Sequence, residues 1–264
     1  MFKVKTYTKS TLIDELKAIR NRGWIPSSRN KKNAGALGNT LEDLLGIQEN
    51  NLPLPNAAEW ELKTQRKNTD ALLTLFHMEP SPRALKIVPY LLNIYGWRHE
   101  QAGNKYPETE RSFRQPLVYR QKTNRGFYVD IDDINKRVVV NFSFNDIDKS
   151  LTAWKNSIIS RGGITLNASY TPYWGFNDVF HKAGIKLRNC FYIVADEKTI
   201  NNQLYFRYLD IMMLSGFSLE KFINAIKDGQ ILVDFDARTG HNHGTKFRIR
   251  PKAIPQLYEK VIQF

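Results

Sequence analysis

The sequence predicts a mixed α/β or α+β fold of two intimate lobes flanking a cleft, and two patterns support this prediction. Apolar residues recur at helical spacing near the N-terminus and again after Ser218, whereas side chains alternate with a period of two from Glu59 onward. Helical and strand-like segments then follow one another through a chain of 264 residues. This length is enough for one large domain or two lobes, and we expect the boundary near residue 145.

Two helices are predicted before the first strand. The first begins with Ser10 or Thr11 as its N-cap. The second begins near Asn39 or Thr40, so that Glu42 lies in its first turn, where the helix dipole favours a carboxylate.

The later segments are predicted from the same periodicities and from turn residues. They comprise a strand at 71–77, a helix at 83–95 that Pro89 should kink or split, a long loop or irregular insertion at 98–125, a hairpin at 127–132 and 137–144, a helix at 148–158, strands at 189–195 and 203–213, a helix capped by Ser218, strands at 230–236 and 245–250, and a short C-terminal helix after Pro255.

The composition favours a polyanionic partner. Lys and Arg number 39 against 26 Asp and Glu, which gives a formal net charge of +13 and an isoelectric point near 9.7. Contacts from Lys and Arg to phosphates supply most non-specific affinity for nucleic acids. The alternative, a basic protein without such a partner, stays open on charge alone.

Several classes of protein are excluded by the sequence. No run of about 18 apolar residues is present, which argues against a membrane span, and the N-terminus lacks the features of a secretory signal. The single cysteine, Cys190, excludes an intrachain disulfide framework and lies in an apolar run that suits a small buried residue. We therefore expect a cytoplasmic protein.

The strand that begins at Glu59 carries the residues suited to phosphodiester hydrolysis. Glu61 and Lys63, at positions i and i+2, lie on one face of the strand and place a metal ligand beside an ammonium group. A lysine in this position can orient a water molecule and stabilise developing negative charge. The alternative is a solvated strand, on which such alternating charges are common.

Five ordered segments of the sequence resemble one known family. They cover residues 38–45 (GNTLEDLL), 48–52 (QENNL), 59–63 (EWELK), 73–77 (LTLFH) and 243–249 (HGTKFRI). In these segments the chain resembles the MvaI/BcnI restriction endonucleases, which are related to the mismatch-repair nickase MutH.

The resemblance implies a PD-(D/E)XK nuclease core with a second lobe, in a bilobed MutH-like architecture around a DNA-binding cleft. It implies a catalytic lobe at about residues 1–145 and a DNA-recognition lobe at about 146–264. It further implies Mg²⁺-dependent hydrolysis of double-stranded DNA at a short GC-rich site of the CC-N-GG type by a monomer that cuts one strand at a time. A cognate DNA methyltransferase is the expected partner in the same restriction–modification system.

Carried over by position, Glu42, Glu61 and Lys63 match the helix glutamate and the E-x-K pair of the family, while Asn56 stands where the family has a metal-binding aspartate. The metal ligands are then Asn56 and Glu61. An asparagine offers Mg²⁺ a neutral carbonyl oxygen instead of a carboxylate, which should lower metal affinity. Three explanations stay open: a deliberate replacement, a natural variant rescued by Glu59, and a naturally inactive protein.

The candidate DNA-reading residues follow from the same resemblance and from basic chemistry. His77 ends a mostly apolar strand, and either a DNA contact or a place at the rim of the core would suit it. A second group forms a basic hairpin, whose Arg and Lys side chains suit guanine in the major groove or, alternatively, phosphates alone. Its members are Arg238, His241, His243, Lys246, Arg248 and Arg250.

Two other functions remain as hypotheses. One is a MutH-like nickase that serves DNA repair. The other is a catalytically inactive, sequence-specific DNA-binding protein, which Asn56 alone supports.

Overall fold

The computed structural model describes residues 7–28, 35–47 and 59–264. The α-helices in these ranges are α1 (Lys9–Asn21), α2 (Ala36–Leu45), α3 (Ile87–Tyr95), α4 (Thr152–Ile159), α5 (Phe176–Leu187) and α6 (Leu219–Lys227). The strands are β1 (Ile25–Pro26), β2 (Glu61–Arg66), β3 (Leu73–His77), β4 (Trp97–Arg98), β5 (Arg111–Leu117), β6 (Phe127–Asp132), β7 (Arg137–Phe142), β8 (Tyr173–Gly175), β9 (Asn189–Ile200), β10 (Gln203–Phe217), β11 (Ile231–Arg238), β12 (His241–Asn242), β13 (Lys246–Ile249) and β14 (Tyr258–Gln263).

The chain divides into two compact units, and neither is a continuous segment. Unit 1 comprises Met1–Leu73, Ala183–Ser218 and Pro251–Phe264, and unit 2 comprises Thr74–Lys182 and Leu219–Arg250. This division differs from the two consecutive lobes, 1–145 and 146–264, expected from the sequence. The reason is strand pairing, because the N-terminal strand β2 completes its sheet with β9, about 130 residues further along the chain.

Unit 1 contains one five-stranded sheet. Its strand order is β1-β10-β9-β2, and β14 also pairs with β10. The helices α1 and α2 cover one face of this sheet, where Leu12, Leu41, Trp60 and Phe206 belong to a single buried apolar cluster. β2 is the parallel strand at the end of the order, which places the E-x-K residues at an edge of the sheet.

Unit 2 contains two sheets. The larger has the order β3-β13-β11-β5-β4, with β12 also paired to β11, and the smaller has the order β6-β7-β8. Buried aromatic rings fill the interior of this unit, and Phe113 is in edge contact with both Phe127 and Phe235 at centroid distances of 5.3 Å. The hairpin predicted at 127–132 and 137–144 is confirmed as β6 and β7.

Both predicted helix starts are wrong by a few residues. Thr8 caps α1, and Thr11 instead completes a capping box with it, so neither Ser10 nor Thr11 is the N-cap. α2 begins at Ala36, and its first turn contains no acidic residue. Glu42 therefore lies in the second half of α2, away from the position where a helix dipole would favour it.

Two predictions for the middle of the chain also need correction. The break near 83–95 falls at Lys86, whose φ of 48° separates a 3-10 turn (Arg83–Leu85) from α3, while Pro89 is tolerated in the first turn of α3. The segment 98–125 is not a long loop, because it contains β5. Its alternating buried and exposed residues place this strand in the larger sheet of unit 2.

The sequence interpretation also missed elements near Tyr170 and at the C-terminus. β8 and α5 follow Pro172, although no helix was expected there. The expected C-terminal helix is a 3-10 helix (Pro251–Leu257) that begins before Pro255, and the chain then continues as β14, paired with β10. Within the described residues, no helix is both long and apolar enough to cross a membrane.

Candidate functional site

The first group of candidate residues lies on β2 in unit 1. In the parallel pairing with β9, Glu61 is opposite Cys190 and Lys63 is opposite Tyr192. Leu62 belongs to the apolar cluster under α1 and α2, so Glu61 and Lys63 project to the other face of the sheet. No strand of the described chain pairs with the outer edge of β2.

Glu61 and Lys63 form a close ion pair. The Glu61 Oε1 atom lies 2.7 Å from the Lys63 Nζ atom, and Glu61 is only 2% exposed. The other carboxylate oxygen, Oε2, is buried and has no hydrogen-bond partner among the described residues. A buried acceptor without a partner is costly, so this oxygen is suited to a cation or a bound water. The solvated-strand alternative is wrong, because it requires an exposed glutamate.

A buried thiol and phenol lie behind Glu61 on the same sheet. Cys190 is fully buried, and the Tyr258 hydroxyl donates a hydrogen bond to its sulfur. The pKa of Cys190 is raised to about 12, chiefly by burial and also by the neighbouring Glu61 carboxylate, while Lys63 and the Tyr258 hydroxyl oppose the change. Burial also raises the pKa of Tyr258 well above its usual value. Cys190 is therefore a neutral structural residue, as expected from its apolar surroundings.

Glu42 is positioned by the close packing of α2 on β2. A Cβ atom at Gly38 would lie 3.3 Å from the Thr64 Oγ1 atom, so the absent side chain allows the helix to approach the strand. Glu42 follows Gly38 by one helical turn, lies on the same side of α2 and is half-buried. Since α2 and Glu61 are on opposite faces of β2, Glu42 would reach Glu61 and Lys63 only around the open edge of the strand.

Asn56, the expected second metal ligand, belongs to residues 48–58, which lie outside the described residues. Glu59, its proposed substitute, is exposed just before β2. Among the residues that the structure does describe, no group of three or more His, Cys, Asp or Glu is arranged to hold a metal ion. Of the two predicted metal ligands, Glu61, with its unpartnered oxygen, lies in the described ranges.

The second group of candidate residues lies in unit 2, on β11, β13 and the loop between them. In β11, Val233, Phe235 and Ala237 are buried, while Asp234 and Asp236 are half-buried on the other face of the strand. β5 and β13 flank β11 as antiparallel neighbours. Their basic side chains therefore come together with these acids on one face of the sheet.

Each basic residue that projects from this face has a carboxylate partner. Arg238 Nη1 lies 2.9 Å from Glu110 Oε1, Lys246 Nζ lies 2.6 Å from Asp236 Oδ2, and Arg248 Nη1 lies 2.9 Å from Asp234 Oδ2. Arg114 of β5 also contacts Asp236, with 2.8 Å between Nε and Oδ1. The face is an acid–base ladder, in which carboxylates pair with the basic side chains of the predicted hairpin.

The candidate histidines lie at the end of this hairpin. The rings of His241 and His243 meet edge to face, with centroids 4.2 Å apart, and both side chains are exposed. A Cβ atom at Gly244 would lie 3.2 Å from the His77 ring, so the loop backbone lies directly against His77. Desolvation lowers the pKa of His243, with further lowering by His241 and other nearby cations against the opposing effect of Asp236.

Arg250 stands apart from the other candidates. Its backbone N–H donates to the Gln230 carbonyl, and its Nε atom donates to the Gly229 carbonyl at 3.3 Å. The residue is exposed at the end of the hairpin, beyond the acid–base ladder.

The acidic members of the ladder were missed by sequence reasoning. Asp234, Asp236 and Arg238 recur at every second position of β11, which is a signal for a shared polar face that the sequence does contain. Glu110 gave no such signal, because its proximity to Arg238 depends on the pairing of β5 with β11. Glu79 was also missed, and it accepts hydrogen bonds from Thr245 and Asn242 that fix the hairpin loop.

Comparisons with known proteins agree on one family and one fold. The model of the MvaI/BcnI restriction endonuclease family matches residues 13–258. The chain is similar to a solved structure described as a complex of restriction endonuclease MvaI with its cognate DNA substrate, with a TM-score of 0.76, 24% identity and coverage of 98% of this chain and 99% of that chain. A structure of MvaI in the absence of DNA matches with a TM-score of 0.54 at the same identity and coverage. Among curated protein sequences, the comparison finds no match. These likenesses confirm the predicted mixed α+β fold and the resemblance on which the site residues were chosen.

Proposed function

We propose that this chain, which belongs to the MvaI/BcnI restriction endonuclease family, is a type II restriction endonuclease of double-stranded DNA. The proposed target is a short GC-rich site of the CC-N-GG type, cut one strand at a time by a monomer in the cytoplasm. A methyltransferase would protect the same site in the host DNA. The single observation that carries the proposal is the buried Glu61–Lys63 pair, with one carboxylate oxygen left unpartnered within the described chain.

A divalent cation, which we propose is Mg²⁺, suits this arrangement. Glu61 offers it an anionic oxygen at a buried position, and the residue at position 56 would be the second ligand. When bound, the cation supplies positive charge to the scissile phosphate and lowers the pKa of a coordinated water.

The remaining chemistry belongs to residues of the chain. Lys63, held 2.7 Å from Glu61, would orient the attacking water by a hydrogen bond and stabilise the negative charge that develops on the phosphate. As the water oxygen bonds to phosphorus and the water gives up one proton, one phosphorus–oxygen ester bond breaks and the leaving oxygen takes up one proton. Glu42 would support the site from the open edge of β2.

Recognition of the target is proposed for the hairpin face of unit 2. Arginine and lysine bind guanine through its O6 and N7 atoms, which suits a GC-rich site. Arg238, Lys246 and Arg248 are held at fixed positions by their carboxylate partners, and this restricts the geometry in which they meet a base. The proposal extends to the remaining candidates, with His77, His241 and His243 at the loop and Arg250 at the other end.

Asn56 bears on whether the chain is active as it stands. A neutral amide oxygen is a weaker ligand for Mg²⁺ than a carboxylate, so we expect the substitution Asn56→Asp to raise Mg²⁺-dependent cleavage of plasmid DNA by orders of magnitude. The measurement is the initial rate of plasmid cleavage by both forms over a series of Mg²⁺ concentrations. Sequencing of cut ends from phage DNA would identify the site.

The control is Glu61→Gln in the Asn56→Asp background, which should remove the gained activity. Equal cleavage rates for the original chain and the Asn56→Asp form would contradict the impaired-site proposal. The natural-variant explanation, in which Glu59 takes over, predicts activity of the original chain that is lost in Glu59→Gln.

A second candidate function is favoured by Asn56 alone. This is an inactive protein that binds a specific DNA sequence, and it predicts binding without cleavage even after Asn56→Asp. The nickase hypothesis predicts nicked circles without linear product from the same plasmid assay. A defined double-strand cut by the isolated protein would exclude both.

A further inference from the structure

A cavity in unit 2 adjoins the hairpin face at Glu110 and contains none of the residues on β2. Its volume is about 730 Å³, within the range of about 300–1,000 Å³ that is usual for ligand pockets. Its walls come from the segments around β4 and β5, from Arg125 and from α4 with the residues on either side of it. All of these belong to unit 2.

The walls of this cavity carry more cations than carboxylates. Of its two glutamates, Glu108 pairs with Arg98 at 2.8 Å, and Glu110 pairs with Arg238 at 2.9 Å. Three further lining arginines have no carboxylate partner among the described residues. They are Arg111, Arg125 and Arg161.

Two of these arginines are held close together. Arg161 Nη1 and Arg111 Nη1 both donate to the Asn93 carbonyl, at 2.9 and 3.0 Å. Arg161 also donates to the Gly96 carbonyl and to Ser157, which fixes its plane. Burial, followed by the positive charge of Arg111, lowers the pKa of Arg161. The pair is therefore a concentration of positive charge that no acid of the described chain balances.

Arg125 is the third cation, and it is fixed by two indole rings. Its guanidinium carbon lies 3.9 Å from the centroid of Trp97 and 5.4 Å from that of Trp154, and the Trp154 ring is itself anchored by a hydrogen bond to the Tyr95 carbonyl. The Arg125 Nε atom is buried without a hydrogen-bond partner in the described chain. The Arg125 Nη1 atom donates to the Asn124 Oδ1 atom at 3.3 Å, whereas a buried Nε–H without an acceptor is unfavourable.

We propose that this cavity binds a phosphate group, through Arg111 and Arg125 with Arg161 holding the site. Guanidinium groups bind phosphate oxygens with paired, charge-assisted hydrogen bonds, and three fixed guanidinium groups around one cavity match a dianion better than a neutral ligand. The phosphate belongs either to a free nucleotide or to a phosphodiester of DNA outside the recognition site. The proposal goes beyond DNA cleavage and stands whether or not the E-x-K site is active.

The test is isothermal titration calorimetry with three probes: inorganic pyrophosphate, thymidine 5′-monophosphate and a 20-base-pair duplex without a CC-N-GG site. The variant is Arg111→Gln, which removes one unpaired cation, and the matched control is Arg120→Gln, which removes the same charge from an exposed arginine paired with Asp130. We expect Arg111→Gln to weaken phosphate binding at least about tenfold and Arg120→Gln to change it less than about twofold, because one lost charge-assisted contact is worth about a factor of ten or more.

The three probes distinguish the source of the phosphate. Selective weakening of the small probes supports a nucleotide site, whereas selective weakening of the duplex alone, with a shallower dependence on salt, supports a DNA phosphodiester. No binding of any probe, or equal losses in the two variants, overturns the proposal.

A second measurement needs no variant. Phenylglyoxal modifies accessible arginines, and peptide mass mapping of the original protein gives the extent of modification at each position. Pyrophosphate or duplex should protect Arg111 and Arg125 but not Arg120. Unchanged modification at Arg111 and Arg125 with every probe overturns the proposal even if Arg111→Gln does not fold.

Discussion

Glu61 is a buried carboxylate whose Oε1 atom lies 2.7 Å from the Lys63 Nζ atom, and the two side chains form a largely buried ion pair. Breaking a buried pair by removing one partner costs about 3–5 kcal/mol, whereas replacing both partners is often nearly neutral. The residues proposed for catalysis should therefore be coupled in stability as well as in activity.

A double-mutant cycle tests this coupling. We expect Lys63→Met to lower the free energy of unfolding by about 3–5 kcal/mol, because it leaves the Glu61 carboxylate buried without its cation, and we expect Glu61→Gln in the same chain to restore most of the loss. The measurement is urea unfolding followed by circular dichroism for the original chain, both single variants and the double variant. Additive losses in the double variant would show that the two side chains do not interact.

At the scale of elements, the β6–β7 hairpin shows what local sequence can predict. Apolar and polar side chains alternate along both strands, and the turn residues that join them are adjacent in the chain. Both strand positions were therefore predicted within two residues. The same reasoning failed for α5 and for β14. No helix was expected to follow the aromatic segment at 170–176, and the paired state of β14 depends on β10, about 45 residues earlier.

The candidate site, like the secondary-structure elements, was predictable only where it depends on local sequence. Glu61 and Lys63 share a strand, so their proximity follows from a period of two, and the sequence placed them correctly on one face. Their burial was not predictable, since it depends on β9 and on the C-terminal segment. Likewise, Glu110 meets Arg238 only because β5 pairs with β11, and no local pattern contains that information.

The turn of the β6–β7 hairpin gives a pH-dependent prediction. Asp132 accepts hydrogen bonds from the backbone and side chain of Asn135 and from Arg137, and these lower its pKa to about 2. An unfolded chain would return this pKa to about 3.9. The stabilisation by the carboxylate is therefore complete above about pH 4 and is lost as the pH falls through about 2.

We expect Asp132→Asn to lower the melting temperature at pH 7 and this difference to shrink steadily as the pH falls from about 4 towards 2. Differential scanning fluorimetry over this range is the measurement. The control is Asp133→Asn, which removes the same charge from an exposed position next in sequence, where the contact to Lys227 is longer at 3.3 Å. A difference that stays constant with pH would show that the Asp132 carboxylate does not stabilise the turn.

At the scale of the whole molecule, the two units are interleaved along the chain. Unit 1 needs its N-terminal strand β2, the central strands β9 and β10 and the C-terminal strand β14 to complete one sheet. Unit 2 is interrupted by residues that belong to unit 1. Residues 1–145 and 146–264 therefore each lack strands that their sheets require.

Fragment expression tests this organisation. We expect neither fragment 1–145 nor fragment 146–264 to fold alone, since β2 would lose β9 in the first and β11 would lose β5 in the second. Circular dichroism and the cooperativity of thermal unfolding would report the loss, and the intact chain is the control. Cooperative unfolding of either fragment would contradict the interleaved arrangement and favour consecutive lobes.

The carboxylates that hold the hairpin's basic side chains have a consequence for how the proposed enzyme would search DNA. A passing phosphate must compete with Asp234, Asp236 or Glu110 for the same ammonium or guanidinium groups. The protein would then dissociate quickly from DNA sites where it contacts only the backbone phosphates, despite its net charge of +13. The protein would stay bound longest at a DNA sequence whose base edges form hydrogen bonds with both the arginines and the acids.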